Sequence, residues 1–278
     1  MADCDGQSRR AGKITRMRAL LLVTILSCTA CGSLPNGRSW GEDATFKPGW
    51  NRVAASAAKA ARDPWVWAPL AGAALFQIDD WDRRTADWAQ EHTPVFGSQR
   101  SAEHWSDDLR TASVLAHYVT IAATPSGDTP REWLINKTKG TLVQAAAVSA
   151  TVLVTQTVKS GLDRDRPNGQ GGESFPSGHT STSAVHTRLA SRNLQSIDMS
   201  KATRTSLDVG LYALTIGTSW SRIEAGWHYP SDTLVGMALG NFMASFVNDA
   251  FLGLDASAPR VGIAPSQGGL MLTLDARF

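Results

Sequence analysis

The sequence predicts an all-α protein: a helical bundle of roughly seven or eight helices, followed by a short C-terminal β-hairpin. Three observations lead there. Apolar residues recur at helical spacing almost throughout residues 51–247. No period-two alternation precedes residue 260, where 260–263 and 270–274 flank Pro265-Ser266-Gln267-Gly268-Gly269 as two hairpin arms would. Breakers such as Pro125-Ser126-Gly127-Asp128 separate the periodic runs.

The helices follow in order. Residues 51–62 are Ala-rich, with Val53 and Ala57 on one side. Pro64 opens a second apolar helix that runs to about residue 78. Residues 79–91 are charged, with Trp81 and Trp88 seven apart, as in an amphipathic helix. Residues 98–123 begin charged and turn apolar. Thr129-Pro130-Arg131-Glu132 combines a cap residue, a first-turn Pro and an early acid, so a helix starts there and runs to about residue 160. Ser177 opens the next, 200–220 forms another and 230–247 the last.

Around this body, 50–253, lie segments of other character. Residues 1–31 read as an export signal: Arg9, Arg10, Lys13, Arg16 and Arg18 precede a short apolar run, 19–26. That run is far below the ~20 residues of a spanning helix. Ile25-Leu26-Ser27-Cys28 looks like a bacterial lipobox, with Cys28 as the acylated residue; Cys31 is the weaker candidate, and Met17 an alternative start. Residues 32–49, rich in Gly, Pro, Ser and Asn, read as a flexible tether, and 254–278 as a tail or hairpin. This organisation implies export to the periplasm and lipid anchoring to the outer membrane, against an alternative of an integral inner-membrane enzyme. The longest apolar stretches, 142–158 and 233–247, are interrupted by Gln144, Gln156 and Asn241, and the mean hydropathy of −0.17 is low for many spans.

Composition excludes several function classes. A net charge of +2 from 27 basic and 25 acidic residues gives no basis for nucleic-acid binding. All three cysteines, Cys4, Cys28 and Cys31, stand near the start, so the body has neither a disulfide framework nor a cysteine metal site. Ten tryptophans are many for 278 residues. Those at 65, 67, 81 and 88 read as helix-packing aromatics or as an interfacial belt resting on lipid headgroups.

Chemistry concentrates between Lys159 and Asp232. Lys159 is followed seven residues later by Arg166-Pro167, where Pro167 forbids a continuing helix and a turn can aim both cations at one point. Pro176-Ser177-Gly178-His179 enters a helix, whose N-terminus offers unpaired N–H groups to an anion. Gly178 lets the backbone approach closely, and Ser177 offers a hydroxyl or simply an N-cap. Ser221-Arg222 supplies a planar fork, and six residues on comes His228, then Asp232 in the first turn after Pro230. A carboxylate accepting from one imidazole nitrogen would leave the other free as a nucleophile. Asp163, Arg164 and Asp165 read as solvent-facing. His92, His104, His117 and His186 read as surface or core, with His186 placed to line a pocket floor, since it follows His179 by seven residues.

These three phrases, in this order, resemble the tripartite signature of the type 2 phosphatidic acid phosphatase and vanadium-dependent haloperoxidase superfamily, and every signature position is filled. The resemblance implies that 50–253 is a helical phosphatase domain. It implies that His228 attacks phosphorus to give a phosphohistidine, that Asp232 orients it, and that His179 protonates the leaving alkoxide and then activates water. Lys159, Arg166, Ser177, Gly178 and Arg222 would hold the phosphate oxygens. No metal and no cofactor is implied, because three fixed cations can replace Mg²⁺. The expected substrate is a phosphorylated lipid or a small phosphoester, a monoester or a diphosphate. Two alternatives stand beside it: a vanadium-dependent haloperoxidase, and a non-catalytic envelope lipoprotein with a vestigial site.

Overall fold

Helix starts follow the local chemistry. Thr129 and Glu132 exchange side-chain-to-backbone bonds in a capping box, and Pro130 occupies the first turn without wasting a donor. Asp63, Ser98, Ser177 and Ser200 each accept a backbone N–H of the turn they open. The structure, a computed structural model, describes residue 34, residues 38–253 and the backbone of 260–266 and 269–275. Among these residues eight α-helices occur: α1 Trp50–Ala61, α2 Pro64–Leu75, α3 Trp81–His92, α4 Gln99–Ala123, α5 Pro130–Leu162, α6 Gly178–Leu194, α7 Lys201–Glu224 and α8 Pro230–Val247. A 3₁₀ turn, Ile78–Asp80, leads into α3, and a π-helical turn, Asn248–Leu252, extends α8. The all-α bundle is thus observed. The hairpin pairs β1, Arg260–Ser266, with β2, Gly269–Asp275, antiparallel, with Arg260 opposite Asp275 and Ser266 opposite Gly269. Both arms are longer than the turn residues suggested.

Helix α6 is central. It packs against α4, α5, α7 and α8, and most of its residues are buried. Val185 and Leu189 join Val143 and Ala147 of α5 and Ala244 and Val247 of α8 in the main apolar cluster. Small hydroxyls fill the seams: Ser113 meets Ser183 at 2.7 Å and Thr187 meets Thr215 at 2.7 Å. The closest approach is between α6 and α8. A Cβ on Gly240 would lie 2.5 Å from the Ser181 carbonyl oxygen and 2.7 Å from the Ala184 Cβ; one on Gly236 would lie 2.7 Å from the Ser177 carbonyl oxygen. Backbone cannot yield as a side-chain tip can. Gly240→Ala is therefore expected to cost about 2 kcal/mol through overpacking, despite the better helix propensity of alanine. Chemical denaturation checks it, and an unchanged or higher midpoint would refute it.

The tether is shorter than residues 32–49. Trp40 is fully buried in the main apolar cluster, and its backbone N–H donates to the Pro125 carbonyl at 2.8 Å. Gly140 makes room for the Trp40 ring, and Gly41 faces the Asn136 carbonyl so closely that a Cβ would overlap it. A large aromatic dominates its polar neighbours once a groove exists to receive it. The proposed export signal and lipobox, Cys28 and Cys31 included, lie outside the described residues.

Candidate active site

The last turn of α5 carries Lys159, 8% exposed, whose ammonium donates to the Glu173 carbonyl. Asp163 ends the helix in a left-handed conformation, φ 41°, and the chain turns back. Arg166 is then fixed by its own N–H, bonded to the Gly171 carbonyl at 3.2 Å. Ser177 opens α6 and is tied to α8, its N–H donating to the Asp232 carbonyl at 3.0 Å. Arg222 lies in the last turn of α7, 7% exposed, with Nη1 donating to Ser106 Oγ at 3.2 Å. His228 follows on the short connection into α8.

These elements enclose a cavity of about 540 Å³, lined by Lys159, Arg166, Gly178, His179, Arg222 and His228. Two imidazoles and three cations thus face one space. A Cβ on Gly178 would meet only ordinary contacts, Lys159 Cε at 3.8 Å and Thr155 Cγ2 at 3.9 Å, so what it would fill is the cavity itself. The Nε atoms of Arg166 and Arg222, and of Arg110 at the same cavity, are buried with no partner among the described residues. Buried donors of this kind call for an acceptor. An anion with several oxygens meets that need.

Two of the expected residues stand behind the wall. Ser177 is fully buried, and its Oγ accepts from Thr180 N at 3.4 Å and Thr180 Oγ1 at 3.1 Å, which is the N-cap role. Asp232 is also fully buried. Its Oδ2 accepts from Ser174 Oγ at 2.5 Å and Tyr229 N at 2.8 Å, and its Oδ1 from Arg164 Nη1 at 2.6 Å. The His228 ring has a nearer partner than this carboxylate: Nδ1 lies 2.7 Å from the Ser174 carbonyl oxygen and 3.8 Å from Asp232 Oδ2. A carbonyl can only accept, so neutral His228 carries its proton on Nδ1 and leaves the Nε2 lone pair unprotonated.

Burial sets the charges. It pushes His228 down to about 4, with Asp232 opposing and Arg222 and Lys159 reinforcing. It pushes His179 down to about 4 as well, aided by the charge of Arg222. Arg222 itself falls to about 10 for the same reason and stays cationic at neutral pH. Burial works to raise the Asp232 carboxyl, yet the His228 ring, the Ser174 hydroxyl and Arg164 outweigh it, and Asp232 lies below the usual carboxylate range.

Two sequence readings need correcting. Arg164 is not solvent-facing. Its guanidinium bonds Asp82 Oδ2 at 2.8 Å as well as Asp232, and sits 4.2 Å from the Tyr229 ring centroid. Asp163 and Asp165 are exposed as expected. His186 does not reach the cavity. Its Nδ1 faces His117 Nδ1 at 2.8 Å in the core, and His117 Nε2 bonds Gln144 Oε1 at 2.9 Å. Among the described residues no three His, Cys, Asp or Glu side chains converge as metal ligands would.

Three neighbours of the site have no place in the sequence phrases. Trp227 lies between two of the arginines, its ring 4.8 Å from the Arg166 Cζ and 5.1 Å from the Arg222 Cζ, and so holds like charges apart across a π face. Asp107 of α4 meets His179 Nε2 at 3.0 Å, and Arg110 follows one turn later. Trp227 adjoins His228 and could have been suspected. Nothing in the sequence links residues 107 and 110 to a site that begins about fifty positions further on.

Residues 140–252 match the family model of the PAP2 superfamily. That match takes in 113 of the 278 residues. The segment contains all eight of the residues expected at the phosphate pocket, whereas Asp107 and Arg110 precede it. No curated protein matches the chain. Among solved structures the chain is similar to the crystal structure of the first transmembrane PAP2-type phosphatidylglycerolphosphate phosphatase, from Bacillus subtilis. That similarity has a TM-score of 0.50 and 15% sequence identity, and covers 72% of this chain and 95% of that one. At this identity it speaks for a shared fold alone.

Proposed function

We propose that this PAP2 protein is a metal-independent phosphatase that hydrolyses a lipid phosphate through a phosphohistidine on His228. One observation carries the reading: two neutral imidazoles and three cations around a single cavity. In the first step His228 Nε2 forms the N–P bond as the bond from phosphorus to the alkoxide breaks, and the alkoxide takes a proton from His179. In the second, His179 removes a proton from water, the oxygen attacks phosphorus, and the N–P bond breaks. Lys159, Arg166 and Arg222 offset the charge on the non-bridging oxygens, which is most of what phosphoryl transfer requires. Ser177 holds the start of α6 in place rather than binding phosphate itself.

The proton for the first step arrives with the substrate. In the free enzyme His179 is neutral above about pH 4. A phosphate monoester keeps one proton below its second pKa, about 6. The kcat/KM profile is therefore expected to fall below about pH 4, as His228 is protonated, and above about pH 6, as the substrate loses its proton. An optimum on the alkaline side of 8 would contradict this assignment of protons.

A lipid substrate is supported by the outer surface. Trp65, Trp67, Trp81 and Trp88 are each between 41% and 53% exposed, so they are not buried packing aromatics, although Trp65 stacks on Tyr212 at 3.7 Å. Helix α5 is long and apolar enough to cross a membrane, and Leu134, Leu142, Leu153 and Leu162 along it are exposed. These surfaces suit a membrane better than water. The similar Bacillus protein is described as transmembrane, and we read membrane association for this chain too. Export and acylation at Cys28 would be a second means of reaching the same surface.

The test is phosphate release by the full chain from a lipid phosphate and from a soluble ester, with EDTA and with vanadate. Release that survives EDTA and stops with vanadate, a mimic of the five-coordinate phosphorus, is expected. Loss of release in EDTA would overturn the metal-independent reading.

A further inference from the structure

The wall of the cavity formed by α4 carries an acid–base element of its own. Asp107 Oδ1 accepts from His179 Nε2 at 3.0 Å. The same oxygen accepts from Arg110 Nη2 at 3.1 Å, one turn along α4, and Arg110 also lines the cavity. Next to Asp107, Ser106 accepts from Arg222. One helical turn therefore touches both the second histidine and a phosphate-facing arginine. Among the described residues, His179 Nδ1 has no hydrogen-bond partner, and the ring lines the cavity.

We propose that Asp107 is the positioning residue of the proton-transfer step, holding His179 by its Nε2–H so that Nδ1 gives the proton to the leaving alkoxide and later takes one from water. This inference rests on the phosphatase reading above. A carboxylate only accepts, so its contact with Nε2 fixes the tautomer and aims the opposite nitrogen. When Nδ1 gains its proton, the imidazolium sits beside Arg222 and Arg110, which disfavour it, and Asp107 supplies the opposing charge. The carboxylate is available for this. The hydrogen bond from His179, above all, holds Asp107 below the usual carboxylate range, although burial opposes it. A bare surface pair between Asp107 and Arg110 would add little to stability and would touch no chemistry. The contact with His179 is what gives the pair a function. The site would then hold two Asp–His pairs, one behind the nucleophile and one behind the acid, of which the signature phrases contain only the first.

The test compares leaving groups. An alkyl phosphate needs its oxygen protonated on departure, whereas p-nitrophenyl phosphate releases a stable anion without help. In Asp107→Asn, kcat/KM for the alkyl ester is expected to fall about tenfold or more relative to kcat/KM for the p-nitrophenyl ester. Asp107→Glu should recover part of that ratio. Because both esters are assayed in one preparation, the ratio cancels any unfolded fraction. A ratio equal to that of the wild-type chain in both variants overturns the proposal, whatever the absolute loss. If Asp107→Asn shows no activity, Asp107→Glu carries the comparison alone. A wild-type chain that releases phosphate from neither ester would instead refute the phosphatase reading itself.

Discussion

His228→Ala is expected to abolish turnover, with a loss on the order of 10⁶ in kcat, the scale seen when a covalent nucleophile is removed. The residual rate would come from three cations still gripping phosphate with nothing to receive it. His228 is almost fully buried and its Nδ1–H donates to the Ser174 carbonyl, so alanine leaves that carbonyl without this donor and a small void. The fold should survive this, which a thermal melt would show. Phosphate release is the primary readout, and more than about 1% of wild-type activity from folded His228→Ala would sink the covalent mechanism. His179→Ala separates the two halves of the reaction. With p-nitrophenyl phosphate the first step needs no acid, so the variant should form the phosphohistidine and then hydrolyse it slowly for lack of a base. An acid-labile, base-stable phosphoprotein should accumulate in His179→Ala and be absent when His228→Ala is added to it.

The groups around that chemistry were legible in unequal degree. Lys159, Arg166, His179, Arg222 and His228 stand in short phrases at helix ends, and helix ends are where sequence speaks most clearly: a Pro, a cap residue and a Gly fix where the chain turns. Three helix termini brought to one point then make the cavity. Asp107 could not be found in this way, since it lies mid-helix in a charged stretch, Ser106-Asp107-Asp108-Leu109-Arg110, that reads as a solvated face. Only the packing of α4 on α6 turns one of its two aspartates toward His179. Trp40 failed the other way. Its neighbours are tether-like in composition, and composition averages over the one residue that decides where the segment goes. The eight helices were readable because 3.6-residue periodicity is local, and the hairpin because Pro265 to Gly269 marks a reversal. The polar core was not, as the pairing of His117 with His186 depends on which faces of α4 and α6 meet.

The Arg164 network shows how much can rest on a residue whose neighbours look solvated. Asp163 and Asp165 flank it, yet the left-handed turn at Asp163 rotates the next side chain inward, between a carboxylate of α3 and one of α8. Asp232 is fully buried and Asp82 nearly so. Asp82 also accepts from Ser231 N at 2.8 Å, so the start of α8, which carries the residues behind His228, is clamped from two sides. Arg164→Ala would leave both carboxylates without their cation in a poorly solvated place. Breaking such a pair from one side costs about 3–5 kcal/mol, far more than an exposed pair would. For a chain of this size that corresponds to a fall in Tm of roughly 10 °C. Arg164→Lys should recover only part of it, because one ammonium cannot reproduce a fork that reaches Asp82 through Nη2 and Asp232 through Nη1. Differential scanning calorimetry on both variants checks the expectation, and a loss below about 1 kcal/mol in Arg164→Ala would mean that the clamp is a surface contact after all. Activity adds a second reading. Asp232 would keep its bonds from Ser174 Oγ and Tyr229 N but lose its cation, so kcat should fall in the folded fraction of Arg164→Ala while KM holds, since the three cavity cations are untouched.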